Sequence, residues 1–439
     1  MRIIYGVIIL VILIFIIINS YKKTKDIFSP LCLFSFLQFL KYVPHMFFTN
    51  VESFVNLDAE SLFMTFIVEV FFVLTVFVFY NVFKDTKKTF SKKTKIDIPF
   101  YLIVAIFIIG FLSRIYILNQ LGGIVYIINN MGRAYHELTN IGNGYITNLG
   151  YLMTIAIVMC VYKFSFTNQK RYFIISIIFT FVGMFTYLVY SSRSPALEML
   201  MVMIIAYHYF VKKISLKSIF KPVNLFIIVI VLSIIVILPS FRQETLGNSS
   251  IDYGNFSFNF NLFNIFEEVA NEFSVVGRDT FVYNYFNMDN FWFGANYFNL
   301  LVALVPSSIY TNKPCIDDGN YLCNLIYGYS CGPNDGRDDL TVKYSMPFSS
   351  QSISYANFGI LGVFIGAIIL GYLYKKVYSN LLHNPTVFSV ILYQLIVYQF
   401  ELTTLGIMQA IIPLVLCVVV WFITLKLSTK SYEYICNIA

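Results

Sequence analysis

The sequence predicts an all-α bundle of membrane-spanning helices, about eleven of them, with one large helical loop before the ninth. Three observations predict it. Hydrophobic residues make up 58% of the chain and charged residues 12%, against ~25% charged in a soluble domain. The apolar residues fall in runs of about twenty, the length that crosses ~30 Å of hydrocarbon. The basic residues cluster in the short segments between those runs, which is how a polytopic protein sets its orientation.

Taken in order, the spans run over 3–20, 28–48, 61–83, 98–118, 146–163, 172–190, 195–211, 222–240, 353–374, 386–402 and 405–425. The first, Ile3–Asn19, follows Arg2 as a signal sequence would, but it is too long and no small-residue cleavage site follows it, so a retained span is expected. The chain divides into spans 1–240, a loop region 241–352, and spans with a tail over 353–439.

Orientation follows from the cations. Of the 30 basic residues, 20 lie in one set of loops: Lys22, Lys23 and Lys25, the run from Lys84 to Lys95, Lys163 to Arg171, Lys212 to Lys221, Lys375 and Lys376, and Lys426 and Lys430. That side is expected to be cytoplasmic. The N-terminus and the long loop then lie outside, and the C-terminus inside. The net charge of +7 is thus an orientation signal and no nucleic-acid footprint.

Within the long loop, Leu262, Phe266, Val269, Phe273 and Val276 fall on one helical stripe, opposite Glu267, Glu268 and Glu272. An amphipathic helix at the membrane surface is expected there. A second, more apolar helix is expected over Phe291–Leu304, and irregular loop between Thr311 and Leu340. Cys315, Cys323 and Cys331 share this loop, which allows one disulfide and leaves one thiol.

The outer basic residues are chemically distinct. On the lysine-rich side 19 of the 20 are Lys, whereas five of the seven outside are Arg. Arginine offers a planar fork for phosphate or carboxylate, and lysine does not. Arg193 sits in the tight turn SSRSP, where Pro195 opens a helix whose N–H groups face the same anion. Arg242 follows span 8 in PSFRQE, Arg278 lies in GRDT, and Arg133 in GRAYHE; Arg114 is inside span 4, where a charge needs a polar cavity or an acid such as Glu198. Candidate bases that take a proton from an attacking sugar hydroxyl are Glu272, Asp279, Glu244, Glu137 and His136. Asp58-Ala59-Glu60 is a short D-x-E pattern, and no Cys/His spacing supports a metal centre. Nucleotide-binding fingerprints and a serine-hydrolase elbow are absent. Energy for any reaction therefore arrives with the substrate, as it would from a lipid diphosphate sugar.

In these features the chain resembles the Wzy-type polymerases of O-antigen and capsule repeat units. The resemblance rests on the aromatic and isoleucine-rich spans, SSRSP, FRQE after a span, the large outer loop, and YANFGILG opening span 9. Similar proteins often carry an acid just before that Asn-Phe-Gly; here the run is PFSSQSISYANFG, without one. The resemblance implies a GT-C-like, metal-independent glycosyltransferase of the bacterial inner membrane that needs no cofactor. Its partners are undecaprenyl-diphosphate-linked donor and acceptor, membrane lipids and a chain-length regulator protein. Arg193, Arg242, Arg278, Arg114 and Arg133 would then hold the diphosphate. Glu272, Asp279 or His136 would serve as base, and Tyr253, Tyr283 and Trp292 would stack on sugars. An O-antigen ligase shares the architecture but should place a His in Phe241–Tyr344, where none occurs. A flippase or other transporter is the rival of another class, and odd span parity with one dominant outer loop ranks it lower.

Overall fold

The computed structural model describes residues 1–47, 59–83, 97–130, 144–189, 193–219, 221, 273–306 and 309–436. Among them the secondary structure is helical, with a single isolated bridge between Pro314 and Gly336. We label the main helices in chain order: α1 Arg2–Thr24, α2 Pro30–Phe47, α3 Ala59–Val82, α4 Phe100–Gln120, α5 Tyr151–Thr167, α6 Lys170–Leu188, α7 Arg193–Phe210, α8 Val276–Tyr285, α9 Asp318–Ile326, α10 Ser350–His383, α11 Val387–Gln394 and α12 Thr404–Cys436.

Seven described helices are long and apolar enough to cross a membrane: α1, α3, α4, Tyr145–Thr167, α6, α10 and Thr404–Leu427. Three further expected spans are helical, α2 with 18 residues and the shorter apolar helices Ser194–Phe210 and Val387–Gln399. The span expected over 222–240 lies outside the described residues.

The chain clusters into two compact units that do not follow its linear order. Unit 1 comprises Met1–Thr86, Leu262–Ser379 and Leu395–Ile411, so the described loop region belongs with the first three helices. Unit 2 comprises Lys87–Asn261, Asn380–Gln394 and Ile412–Ala439.

In unit 1, α1 and α2 form a hairpin. Lys25 ends α1 in the left-handed region (φ 53°), and its N–H returns to Tyr21 O at 2.8 Å. Buried Asp26 then closes the turn, accepting from Phe28 N at 2.8 Å and from the Tyr378 hydroxyl at 2.9 Å. The lysines gather at this end: Lys23 donates to Asn81 at 2.9 Å, and Lys375 lies over the Tyr80 ring. In unit 2, α5 and α6 are joined just as tightly by Asn168 (φ 53°), whose short polar side chain suits the left-handed region.

α10 is broken. Phe358 (φ −143°) and Gly359 (φ 60°) leave helical geometry inside the YANFG motif. A break in an apolar helix frees backbone carbonyls that must find donors. The loop region supplies them: Trp292 N donates to Ala356 O at 3.0 Å, Phe293 N to Asn357 O at 3.1 Å, and Gly294 N to Asn357 Oδ1 at 2.7 Å. Beyond the break, Gly362 and Gly366 lie four apart on one face and receive the Ser354 turn, whose backbone oxygen occupies the place of a Gly362 Cβ.

Two loop expectations are corrected. Phe291–Leu304 is no single amphipathic helix; it holds only a 3-10 turn, Ala295–Phe298, and one turn of helix, Asn299–Val302. Its N–H groups at 292–294 serve the broken α10 instead of a helix of their own. Thr311–Leu340 is not wholly irregular, because Asp317 accepts from Gly319 N at 3.0 Å and caps α9. The face of α9 carrying Tyr321, Leu322 and Leu325 is buried. The thiols of Cys315, Cys323 and Cys331 are free. Of the amphipathic stripe, Leu262 to Glu272 lies outside the described residues.

The packing of Ser354 on Gly362 yields a test. Gly362→Ala puts a methyl group against backbone, and overpacking of this kind costs about 1–3 kcal/mol. The variant should unfold at lower temperature than the wild type in detergent; an unchanged midpoint would show that the two halves of α10 are not pressed together there.

Candidate functional site

The clearest concentration of chemistry in unit 1 lies where α2, α10 and the segment before α12 meet. Leu395–Gln399 is a π-helical turn, after which Phe400 to Thr403 leave helical form. Glu401 projects from this interruption. Its Oε1 forms an ion pair with Lys41 Nζ on α2. Its Oε2 accepts from Ser350 N at 2.9 Å and from the Ser350 hydroxyl. The Ser350 oxygen in turn accepts from Leu402 N at 3.1 Å. The carboxylate is thus fixed by a cation and by the first N–H of α10, where a helix favours negative charge.

This arrangement is partly open. The side chains of Lys41 and Glu401 are 20% and 31% exposed, so the carboxylate is open to solvent. Both line a small pocket of about 20 Å3, room for about one water molecule, with Phe34, Gln38, Tyr374 and Tyr398. Gln38 is buried, and its Oε1 has no hydrogen-bond partner among the described residues.

A second, closed cluster sits one residue further along the same strands of chain. Tyr42, next to Lys41, donates to Asp279 Oδ2. Ser349, next to Ser350, donates to both Asp279 oxygens, at 3.0 and 2.9 Å. Gln351 donates to the Tyr42 hydroxyl at 2.5 Å and to Glu69 Oε2 at 2.8 Å. Burial raises the Asp279 carboxyl above the ordinary range, against the opposing donors Tyr42, Ser352 and Ser349.

A third strut joins the loop to α12. Asp318 accepts from Thr404 N at 2.7 Å and from Asn296 Nδ2 at 3.2 Å, while the Thr404 hydroxyl donates to Ile316 O. Tyr297 donates to Leu402 O at 2.8 Å. The residues flanking Glu401 are therefore anchored to the loop region.

Among the sequence-predicted residues, Asp279 is fully buried and meets Tyr42 and Ser349, leaving it no open face. Arg278 is half-buried and donates to Ser274 O at 3.0 Å. Tyr283 packs edge-on to Tyr355, and Trp292 is enclosed by Phe286, Tyr321 and Phe348, so both rings belong to the interior of unit 1. In unit 2, Arg114 is buried in α4 with its guanidinium 4.2 Å from the Tyr187 ring centre. Gly150 is required there, because a Cβ would lie 2.6 Å from Arg114 Cδ. Nearby in that unit, Tyr151 donates to Gln394 at 3.0 Å and Gln394 to Glu198 at 3.2 Å. Arg193 is the first residue of α7, with Pro195 in its first turn; the Arg193 side chain lies outside the described residues. Arg133, His136, Arg242, Tyr253 and Glu272 also lie outside them, as do Glu137, Glu244 and Asp58.

Glu401, Lys41 and Glu69 were not singled out by sequence reasoning. Each lies in an expected apolar span, at 28–48, 61–83 or 386–402, and an ionisable residue inside a span is itself a functional signal.

Asp318 gives a pH-dependent prediction. Burial pushes its carboxyl up to about 6, and hydrogen bonds from Thr404 and Asn296 only partly offset that. A folded-state value above the unfolded one of about 3.9 means that the proton is bound more tightly in the folded chain. Its stabilising contribution is full below about pH 4 and is lost as pH rises towards 6. Asp318→Asn keeps an acceptor for Thr404 N and should flatten the stability–pH curve between those values, read by thermal unfolding in detergent. A curve as steep as that of the wild type would assign the effect elsewhere.

No protein-family model, curated protein or solved structure matches the chain.

Proposed function

We propose that this chain is a membrane glycosyltransferase that polymerises undecaprenyl-diphosphate-linked oligosaccharide repeats for O-antigen or capsule. The reading takes a GT-C-like fold of about eleven spans in a bacterial inner membrane. The lysine-rich ends face the cytoplasm, and the loop region faces outward. The observation that carries it is Glu401, a partly exposed carboxylate held by Lys41 and Ser350 in an aromatic-edged pocket.

In this reading Glu401, and not Asp279, Glu272 or His136, removes the proton from the acceptor hydroxyl. The acceptor oxygen bonds to the anomeric carbon of the donor glycan as that carbon's bond to the lipid diphosphate breaks. The ion pair with Lys41 holds the Glu401 carboxylate in place at the pocket. Arg193 and Arg242 stabilise the charge that develops on the leaving diphosphate. Arg133, Arg114 and Arg278 are retained as further candidates for diphosphate contact.

A transporter of lipid-linked glycan is the second reading. It is favoured by the helix interruptions at Phe358–Gly359 and after Leu395–Gln399, a device by which transporters build midplane sites.

Glycan gels separate the two. Deletion of the gene should collapse the ladder to one repeat on core, whereas loss of transport removes every repeat. Glu401→Gln should lower polymerisation by about 10²–10⁴-fold, the usual contribution of a positioned base, at normal protein level. Arg193→Ala and Arg242→Ala should reproduce the collapsed ladder. A full ladder from Glu401→Gln removes that residue from the chemistry, and full ladders from both arginine variants remove the diphosphate assignment.

A further inference from the structure

The closed cluster in unit 1 contains one feature that the reaction above leaves unused. Glu69 lies well inside α3 and is 1% exposed; Gln351 on α10 is fully buried. One hydrogen bond joins them, from Gln351 Nε2 to Glu69 Oε2 at 2.8 Å. The remaining oxygen of each, Glu69 Oε1 and Gln351 Oε1, is buried without a hydrogen-bond partner among the described residues. Two unmet acceptors on one bonded pair is an unusual state, since buried polar atoms almost always find partners.

One proton resolves both. Placed on Glu69 Oε1, it makes that atom a donor to Gln351 Oε1, while Gln351 Nε2 continues to donate to Glu69 Oε2. The result is a reciprocal carboxyl–amide ring in which no acceptor is left over. Turning the amide over does not avoid the proton. It would set Gln351 Oε1 against Glu69 Oε2 at the same 2.8 Å, and two oxygens at that distance need a hydrogen between them.

The surroundings agree. Asp279 on α8 stands beyond Tyr42 and receives only donors, from Tyr42 and Ser349, so it is the member of the pair built to carry charge. Tyr42 on α2, Tyr283 and Arg278 on α8, and the Lys41–Glu401 pair are the other titratable groups facing the cluster, and the Arg278 cation lies on the Asp279 side of it. On the α1 side Ile9, Ile12 and Leu13 face it, with Val70 and Val73 of α3, across a gap too narrow for water. Among the described residues, nothing on that side compensates a second anion.

We propose that Glu69 is a proton-binding site: a neutral carboxyl at neutral pH, paired with the Gln351 amide, beside an ionised Asp279. Release of the proton sets two anions on either side of Tyr42 and leaves Gln351 Oε1 beside an anion with no donor between them. Gln351 is the chain neighbour of Ser350, which holds Glu401, so the proton keeps the open site assembled. The proton site stands whether or not Glu401 serves glycosyl transfer.

Infrared spectroscopy of the full chain in lipid bilayers reads this directly. At neutral pH the wild type should show a protonated-carboxyl stretch that shifts in D2O. The band should vanish in Glu69→Gln and persist in Asp279→Asn. The amide introduced by Glu69→Gln keeps a donor where Glu69 has its O–H, so the pair and the fold are retained. A wild-type spectrum unchanged by Glu69→Gln, or a band lost in Asp279→Asn alone, overturns the proposal. Should Glu69→Gln fail to fold, the wild type is treated with dicyclohexylcarbodiimide. This reagent takes the carboxyl proton onto one nitrogen, bonds the oxygen to its central carbon, and rearranges to an N-acylurea of the combined mass. An adduct on the α3 peptide at Glu69 supports the site, and adducts only elsewhere overturn it.

Discussion

The organisation of unit 1 depends on how the broken α10 satisfies its backbone. A helix that crosses an apolar layer meets its hydrogen-bonding needs internally, and a break forfeits that. At Phe358 and Gly359 the loss is made good by the N–H groups of Trp292 and Phe293, and Asn357 Oδ1 accepts from Gly294 N, so that the three bonds tie the loop region to the spans. The loop is therefore part of the unit's framework. Once it is docked, Asp318 and Tyr297 fix Thr404 and Leu402 on either side of Glu401's neighbours, and α8 brings Asp279 to Tyr42. The same break lets the first turns of α10 fold against Gly362 and Gly366 and present Ser349, Ser350 and Gln351 to their acids.

Much of this frame was legible from the sequence. Hydropathy located the long helices, because crossing hydrocarbon demands length and apolarity that little else imitates. The lysine pattern anticipated the gathering of Lys23 with Asn81 and of Lys375 with Tyr80 at one end of unit 1. The site was harder. Arginines in the turns expected to lie outside stand out because they are few and chemically specific. Lys41, Glu69 and Glu401, by contrast, were absorbed into the apolar spans around them. Their partnership joins positions hundreds of residues apart, and nothing local marks Lys41 as the neighbour of Glu401. The helix Asp318–Ile326 was hidden for the opposite reason. Its Asp-Asp-Gly-Asn start reads as a turn, and only tertiary burial of Tyr321 and Leu322 reveals it as a capped helix.

The run PFSSQSISYANFG carries no acid, yet it is the meeting point of three. Ser349 serves Asp279, Ser350 serves Glu401, and Gln351 serves Glu69. Short hydroxyl and amide side chains at a helix start suit this task, since each supplies a donor without adding charge. Acids contributed from α3, α8 and the segment before α12 can thus be gathered at one helix end without a cation for each. Only Glu401, the exposed member, has its own lysine.

This division of partners separates the acids by role. An ion pair at a partly open surface fixes a carboxylate and leaves part of it to solvent. A buried carboxylate surrounded by hydroxyl donors is held in place, and those fixed dipoles offset part of the cost of its desolvation. Tyr42 and Lys41 are adjacent on α2, as Ser350 and Gln351 are on α10, so the open and closed clusters share two pairs of chain neighbours. A shift of either helix end that disturbs one cluster must disturb the other. The placement of Glu401 is accordingly conditioned by the order of the buried network beside it.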